Sequence, residues 1–194
     1  MIKQFAGTIT SFLVHDNIID EDDQEIYQYG TEQILINISM LAVMFVIAFT
    51  TNSWIHTIFW LCGMLPIRGI AGGYHADTPI KCNLLTVSVF IINIVTINLL
   101  KNYMTIYLLL LFLGVIFFSV FRFAPVDHKN KVLDRAAYLI AKKKSYISGI
   151  VIVGLCLILA LVVGLRSVIT ISTMMGAFTA SISLIIGSII DSVK

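Results

Sequence analysis

The sequence predicts an all-α polytopic integral membrane protein, with about six transmembrane helices after an N-terminal amphipathic helix. Three observations carry this. Of 194 residues, 58% are hydrophobic and only 12% charged, and the mean hydropathy is +0.95. A soluble domain of this length does not combine so little charge with so much Ile, Leu, Val and Phe. Several apolar runs approach the roughly 20 residues that cross a bilayer as helix. The runs are continuously apolar, without the alternation of a membrane barrel.

Taken in order, residues 1–13 place Ile2, Phe5, Ile9, Phe12 and Leu13 on one side of a helix, with Lys3, Gln4 and Thr8 opposite. That pattern fits a helix on the membrane surface, or a packed helix of the core. Residues 16–32 hold seven of the eleven acids, including the run DEDDQE, and read as a solvated face. Spans follow at 33–50, 53–67, 83–100, 103–121, 146–165 and 168–190. The second is the weakest. Ser53, His56 and Cys62 interrupt it and Pro66 closes it, so a re-entrant or tilted segment is the alternative. Gly149, Gly154 and Gly164 suit close helix packing, as small residues do in membranes. The whole chain, 1–194, reads as one membrane domain: a cytoplasmic amphipathic and acidic segment (1–32), then a bundle (33–190).

Orientation follows from Lys and Arg in the loops. Six spans give one side Lys3, Arg68, Lys81, seven basic residues between 122 and 145, and Lys194, eleven in all. The other side receives two, Lys101 and Arg166. Both termini are therefore expected in the cytoplasm, together with segments 68–82 and 122–145. A net charge of +2, without a basic stripe interleaved with aromatics, excludes nucleic acid as a partner. Three cysteines, in or beside apolar segments, give no disulfide framework. The N-terminus has no basic flank leading into an apolar core, so no signal peptide is expected.

Residues 68–82, RGIAGGYHADTPIKC, carry the chemistry. Gly69, Gly72 and Gly73 let the backbone take restricted angles and approach a ligand closely. Asp77 and Thr78 are helix N-cap residues, and Pro79 fits the first helical position. Cys82 then falls in the first turn of the third span. The helix dipole favours a thiolate there, and the thiolate is the nucleophile. In one continuous helix, His75 and Cys82 would share a face but sit about 10 Å apart. The glycines and Pro79 break that helix, which permits His75 to fold back onto Cys82 as a general base. Asp77 either orients the imidazole or caps the helix. A buried small hydrophobe and a satisfied polar histidine are the alternatives. Two candidate ligands and no HExxH leave no metal site, and no cofactor is implied. Cys62 and Cys156 read as packing residues.

The segment FAPVDHKNKVLDRAAYLIAKKKS is the one long polar connection between spans. Its simplest role is topology control. Its functional alternative is a basic rim, Lys129 and Lys131 included, that holds an acidic peptide with Arg68 deeper in the same cleft. His128 ranks below His75 as a base.

RGIAGGYHADTPIKC, followed some forty residues on by APVDHKNK, resembles the AgrB family of accessory gene regulator proteins. The likeness extends over length, the acidic EIYQYG segment, the span layout and both motifs. It implies a bacterial, Gram-positive cell-membrane cysteine endopeptidase that cuts the C-terminal tail from an AgrD-like propeptide. Cys82 would be nucleophile, His75 general base, and Arg68, Gly72, Gly73, Lys129 and Lys131 substrate contacts. The product would be a cyclic thiolactone or lactone signalling peptide for quorum sensing. Family members commonly have a proline after the lysine of the second motif, whereas here Asn130 and Lys131 lead into Val132. A homodimer is compatible with a small membrane protein, although no residue pattern marks an interface. A small transporter or a scaffold without peptidase activity is the rival reading. The span interiors argue against transport, because His56 is their one titratable group besides Cys and Tyr.

Overall fold

The computed structural model describes residues 2–74, 76, 78–126 and 134–192. Seven α-helices form among them: α1 (Ile2–His15), α2 (Gln24–Thr50), α3 (Trp54–Ala71), α4 (Pro79–Tyr103), α5 (Ile106–Phe123), α6 (Arg135–Val162) and α7 (Val168–Ser192). A 3-10 turn, Glu21–Asp23, leads into α2. All but α1 are long and apolar enough to cross a membrane. The expected all-α polytopic architecture is therefore present.

Local chemistry sets the helix starts. Thr78 caps α4 by accepting from the Lys81 amide at 3.4 Å, with Pro79 at the first helical position. Thr105 caps α5 through the Leu108 amide at 3.3 Å. Asp134 Oδ1 caps α6 through the Ala137 amide at 2.6 Å. This last cap moves a boundary. The expected span began at residue 146, but Asp134 and the helix-forming AAYLIA stretch start the helix at Arg135. Lys142, Lys143 and Lys144 thus lie on α6 rather than in a loop, and the Lys142 ammonium sits 5.8 Å from the Tyr146 ring centroid. Likewise α2 starts at Gln24 and takes Glu25 and Glu32 into helix.

Pro66 does not close the second span. α3 runs through it to Ala71 as one continuous helix, so the re-entrant alternative is not what forms. Neighbouring helices make a proline tolerable inside a span; here Ser148 Oγ on α6 donates to the Pro66 carbonyl at 2.9 Å.

The core is organised around α7. Half of its most apolar stretch is buried, against 17% for α2 and α4. Its small and hydroxylated residues explain this: Ala177, Ala180, Thr170, Ser172, Thr173 and Ser181 are all fully buried. α7 packs most extensively on α3, and two glycines make that approach possible. A Cβ on Gly63 would overlap the Thr173 carbonyl oxygen, and one on Gly176 would overlap the Trp60 carbonyl oxygen. Of the three glycines expected to mediate packing, only Gly149 does so, with a Cβ position 3.0 Å from Val120 Cγ1. Gly154 faces open space, and Gly164, with φ +105°, serves the turn before α7.

Two connections meet at one end of the bundle and two at the other. Near the start of α4, the Val126 amide donates to the Ala71 carbonyl at 2.9 Å. At the opposite end, Arg166 Nε donates to the Met104 carbonyl at 3.4 Å. α1 packs on α2 through buried Ala6 and Thr10, while Phe5 and Phe12 remain exposed. Those exposed aromatics are the apolar face expected to meet lipid.

Candidate active site

Cys82 is the fourth residue of α4, in its first turn, and its amide makes the helix's opening hydrogen bond to the Thr78 carbonyl at 3.1 Å. The thiol is free and half-buried. It lines a cavity of about 330 Å³ between α3, α4 and α7, together with Arg68 and Tyr74. Cys156 is free and buried, as a packing residue should be. Cys62 is exposed on α3 instead, because the face of α3 opposite it, carrying Gly63, Met64 and Trp60, takes the contact with α7.

The loop between α3 and α4 is held by hydrogen bonds to α7. Arg68 Nη1 donates to Ser183 Oγ at 2.5 Å, and Nη2 donates to the Tyr74 carbonyl at 3.1 Å. The Tyr74 amide donates to Ser183 Oγ at 3.1 Å and to the Ser183 carbonyl at 2.9 Å. One guanidinium and one serine therefore fix the backbone directly ahead of position 75. The same loop demands glycine twice. Gly72 (φ +78°) would put a Cβ 2.9 Å from the Val126 carbonyl oxygen, and Gly73 (φ +150°) one 2.8 Å from Ser183 Oγ. Both dihedrals disfavour L side chains and both spaces are filled.

The two sequence motifs thus come together: residues 71–74 touch Val126 on one side and α7 on the other. Among the expected site residues, Cys82, Arg68, Gly72 and Gly73 fall within one neighbourhood. His75, Asp77, Lys129 and Lys131, and His128 with them, lie outside the described residues. Among the described residues, no group of three or more His, Cys, Asp or Glu side chains could hold a metal ion.

Tyr74 and Ser183 escaped the sequence reading, as did the cavity wall. A signal existed on α4: Cys82, Thr86, Val89, Asn93 and Thr96 repeat at spacings of four and three, which puts them on one helical face. All five line the cavity. On α7, Met175, Phe178, Thr179, Ile182 and Ser183 form the facing wall.

Fold and site together define a polytopic helical membrane protein with a free cysteine where a helix N-terminus meets an intramembrane cavity. The chain belongs to the AgrB family: the family model described as Accessory gene regulator B matches residues 6–189. An AgrB-like protein of Clostridium perfringens strain SM101 is 28% identical over 139 residues, 68% of this chain and 64% of the relative. One of Listeria monocytogenes serotype 4b is 28% identical over 144 residues, 72% of this chain and 69% of the relative. The Clostridium alignment thus spans slightly less than two thirds of that relative's length. No solved structure matches the chain.

Proposed function

We propose that this chain is a membrane cysteine endopeptidase that removes the C-terminal tail of an AgrD-like quorum-sensing propeptide. Family membership supports propeptide processing as the task. The observation that carries the chemistry is the half-buried Cys82 thiol in the first turn of α4, opening on a cavity beside the anchored loop. Arg68 and Ser183 hold Tyr74, the residue before His75 in the chain, which supports this reading.

In the reaction, His75 takes the Cys82 proton and the thiolate attacks the scissile carbonyl, forming a C–S bond. The C–N bond then breaks, and the leaving amine of the tail takes the proton back from the imidazolium. The acyl-thioester that remains is attacked by a thiol or hydroxyl of the peptide itself. That closes the ring, and Cys82 leaves as thiolate and regains a proton. Exchange of one thioester for another is nearly isoenergetic, so a thiolactone needs no coupled energy source.

The developing oxyanion needs donors. Amides at the start of α4 are natural candidates, and the cap narrows the choice. Pro79 has no N–H, the Lys81 amide is bound to Thr78 Oγ, and the Cys82 amide is bound to the Thr78 carbonyl. The Ile80 amide has no acceptor among the described residues and is the donor we assign.

Purified protein in detergent with an AgrD-like propeptide tests the reading by intact mass. Wild type should release the tail and carry a peptide thioester; Cys82→Ala should do neither, while Cys62→Ala and Cys156→Ala keep both. Tail release by Cys82→Ala would move the nucleophile elsewhere. No release by the folded wild type would favour transport or a scaffold.

A further inference from the structure

α7 offers the loop a backbone acceptor from inside a helix, where one is normally covered. The helical pattern commits the Ser183 carbonyl to the Gly187 amide, four residues on. A carbonyl oxygen has a second lone pair, but side chains lean toward the helix N-terminus. A side chain at position 187 would therefore lie over the turn that begins at Ser183. The Tyr74 amide nevertheless reaches the Ser183 carbonyl at 2.9 Å. It does so across a position that has no side chain.

A Cβ on Gly187 would stand 2.8 Å from the Gly73 carbonyl carbon, 2.8 Å from the Tyr74 nitrogen and 3.2 Å from the Gly73 oxygen. All three are backbone atoms, so no change of rotamer relieves the overlap. The loop cannot back away either. On its far side the Val126 amide holds the Ala71 carbonyl, and the Val126 carbonyl oxygen fills the space beside Gly72. Gly73 and Gly187 are both buried, so two backbones meet with a glycine on each side. Helix preference alone disfavours glycine at 187, which stands inside α7, and alanine would suit the helix better. The tertiary contact demands the opposite. It also bears on the site, since Arg68 holds the Tyr74 carbonyl and both residues line the cavity that Cys82 lines.

We propose that Gly187 is a positioning residue of the site: it leaves a notch in α7 that seats Gly73 and Tyr74, and so sets the backbone that leads into His75. Its part in the chemistry rests on the peptidase reading, whereas the notch itself does not. Gly187 acts through the loop and not on the substrate. Even one added methyl lifts the Tyr74 amide off the Ser183 carbonyl and carries the Arg68 anchor with it.

Two readings on the full chain in lipid nanodiscs test this. The first is hydrogen exchange by mass, with the Tyr74 amide resolved by fragmentation. Wild type should protect that amide, and Gly187→Ala should speed its exchange at least about tenfold while the α6 amides keep their rates. Gly154→Ala is the control and should change nothing. The second is the rate of Cys82 alkylation by iodoacetamide across pH, the thiolate displacing iodide. An imidazolium nearby favours the thiolate, so His75→Ala and Gly187→Ala should both move the profile to higher pH. Ser183→Ala, which adds no bulk, is the second variant should Gly187→Ala fail to fold, and it should change both readings in the same direction. A Tyr74 amide unprotected in wild type, or one that exchanges alike in wild type and the folded variants, overturns the notch. Faster exchange with a profile that moves in His75→Ala and stays in Gly187→Ala overturns the positioning role and leaves the peptidase reading intact. A profile that His75→Ala leaves in place overturns the Cys82–His75 dyad, and the positioning role falls with it.

Discussion

Ser183 is a positioning residue for the loop that carries the expected base. Its hydroxyl oxygen accepts from both Arg68 and the Tyr74 amide, and no other side chain among the described residues hydrogen-bonds to both. A hydrogen bond to a charged group is worth about 1.5–3 kcal/mol. Ser183→Ala should therefore lower kcat for propeptide cleavage about tenfold or more, with KM little changed, and Ser183→Thr should restore part of the loss. Steady-state kinetics on the purified variants decide this. Arg68 has two tasks to separate. If it only anchors the loop, Arg68→Ala repeats the Ser183→Ala pattern. If it also receives the acidic tail, KM rises as well, and the rise disappears for a peptide whose tail acids are amidated.

Among the elements, the α3–α7 pair carries the bundle, and its two glycine contacts are the weak points for substitution. Gly176→Ala must push the helices apart against the Trp60 carbonyl, and overpacking of this kind costs about 1–3 kcal/mol. Thermal unfolding in detergent should show a lowered midpoint for Gly176→Ala and for Gly63→Ala. Gly154→Ala, on α6 with open space around it, should be neutral or slightly stabilising through helix propensity. A Gly176→Ala variant as stable as wild type would contradict this account of the α3–α7 contact. Nothing in the residues beside Gly63 and Gly176 marks these two as packing positions, since both stand in spans that read as ordinary apolar helix. Only the pairing of α3 with α7 gives them a partner.

For the whole molecule, the structure joins the loops in the way the charge count requires. The 72–74 loop and residues 124–126 share one end, and the Met104 and Arg166 turns share the other. The eleven-to-two distribution of basic residues predicts that the end bearing the 72–74 loop faces the cytoplasm, which labelling tests. In a background without the native cysteines, Thr78→Cys should react with a membrane-impermeant maleimide in inverted vesicles and not in intact cells. Asn102→Cys and Ser167→Cys should do the reverse. Labelling of Thr78→Cys from outside would invert the topology and move the site to the external face.

By itself the sequence determined what depends on composition and on neighbours along the chain. Continuous apolar runs dictate helices in lipid, because no other open structure satisfies the backbone there. Thr78 and Pro79 dictate where α4 begins, and hence that Cys82 sits in a first turn. The family was legible for the same reason, since both of its motifs are short and contiguous. What only the tertiary structure decided depends on which helices meet. Gly72 and Gly73 turned out to be filled from Val126 and Ser183. Arg68 turned out to hold the Tyr74 backbone, and α4 turned out to leave a cavity against α7. A span's hydropathy is nearly the same whether it faces lipid or another helix, so periodicity alone cannot distinguish the two. Packing distinguishes them, through small residues that let one backbone approach another.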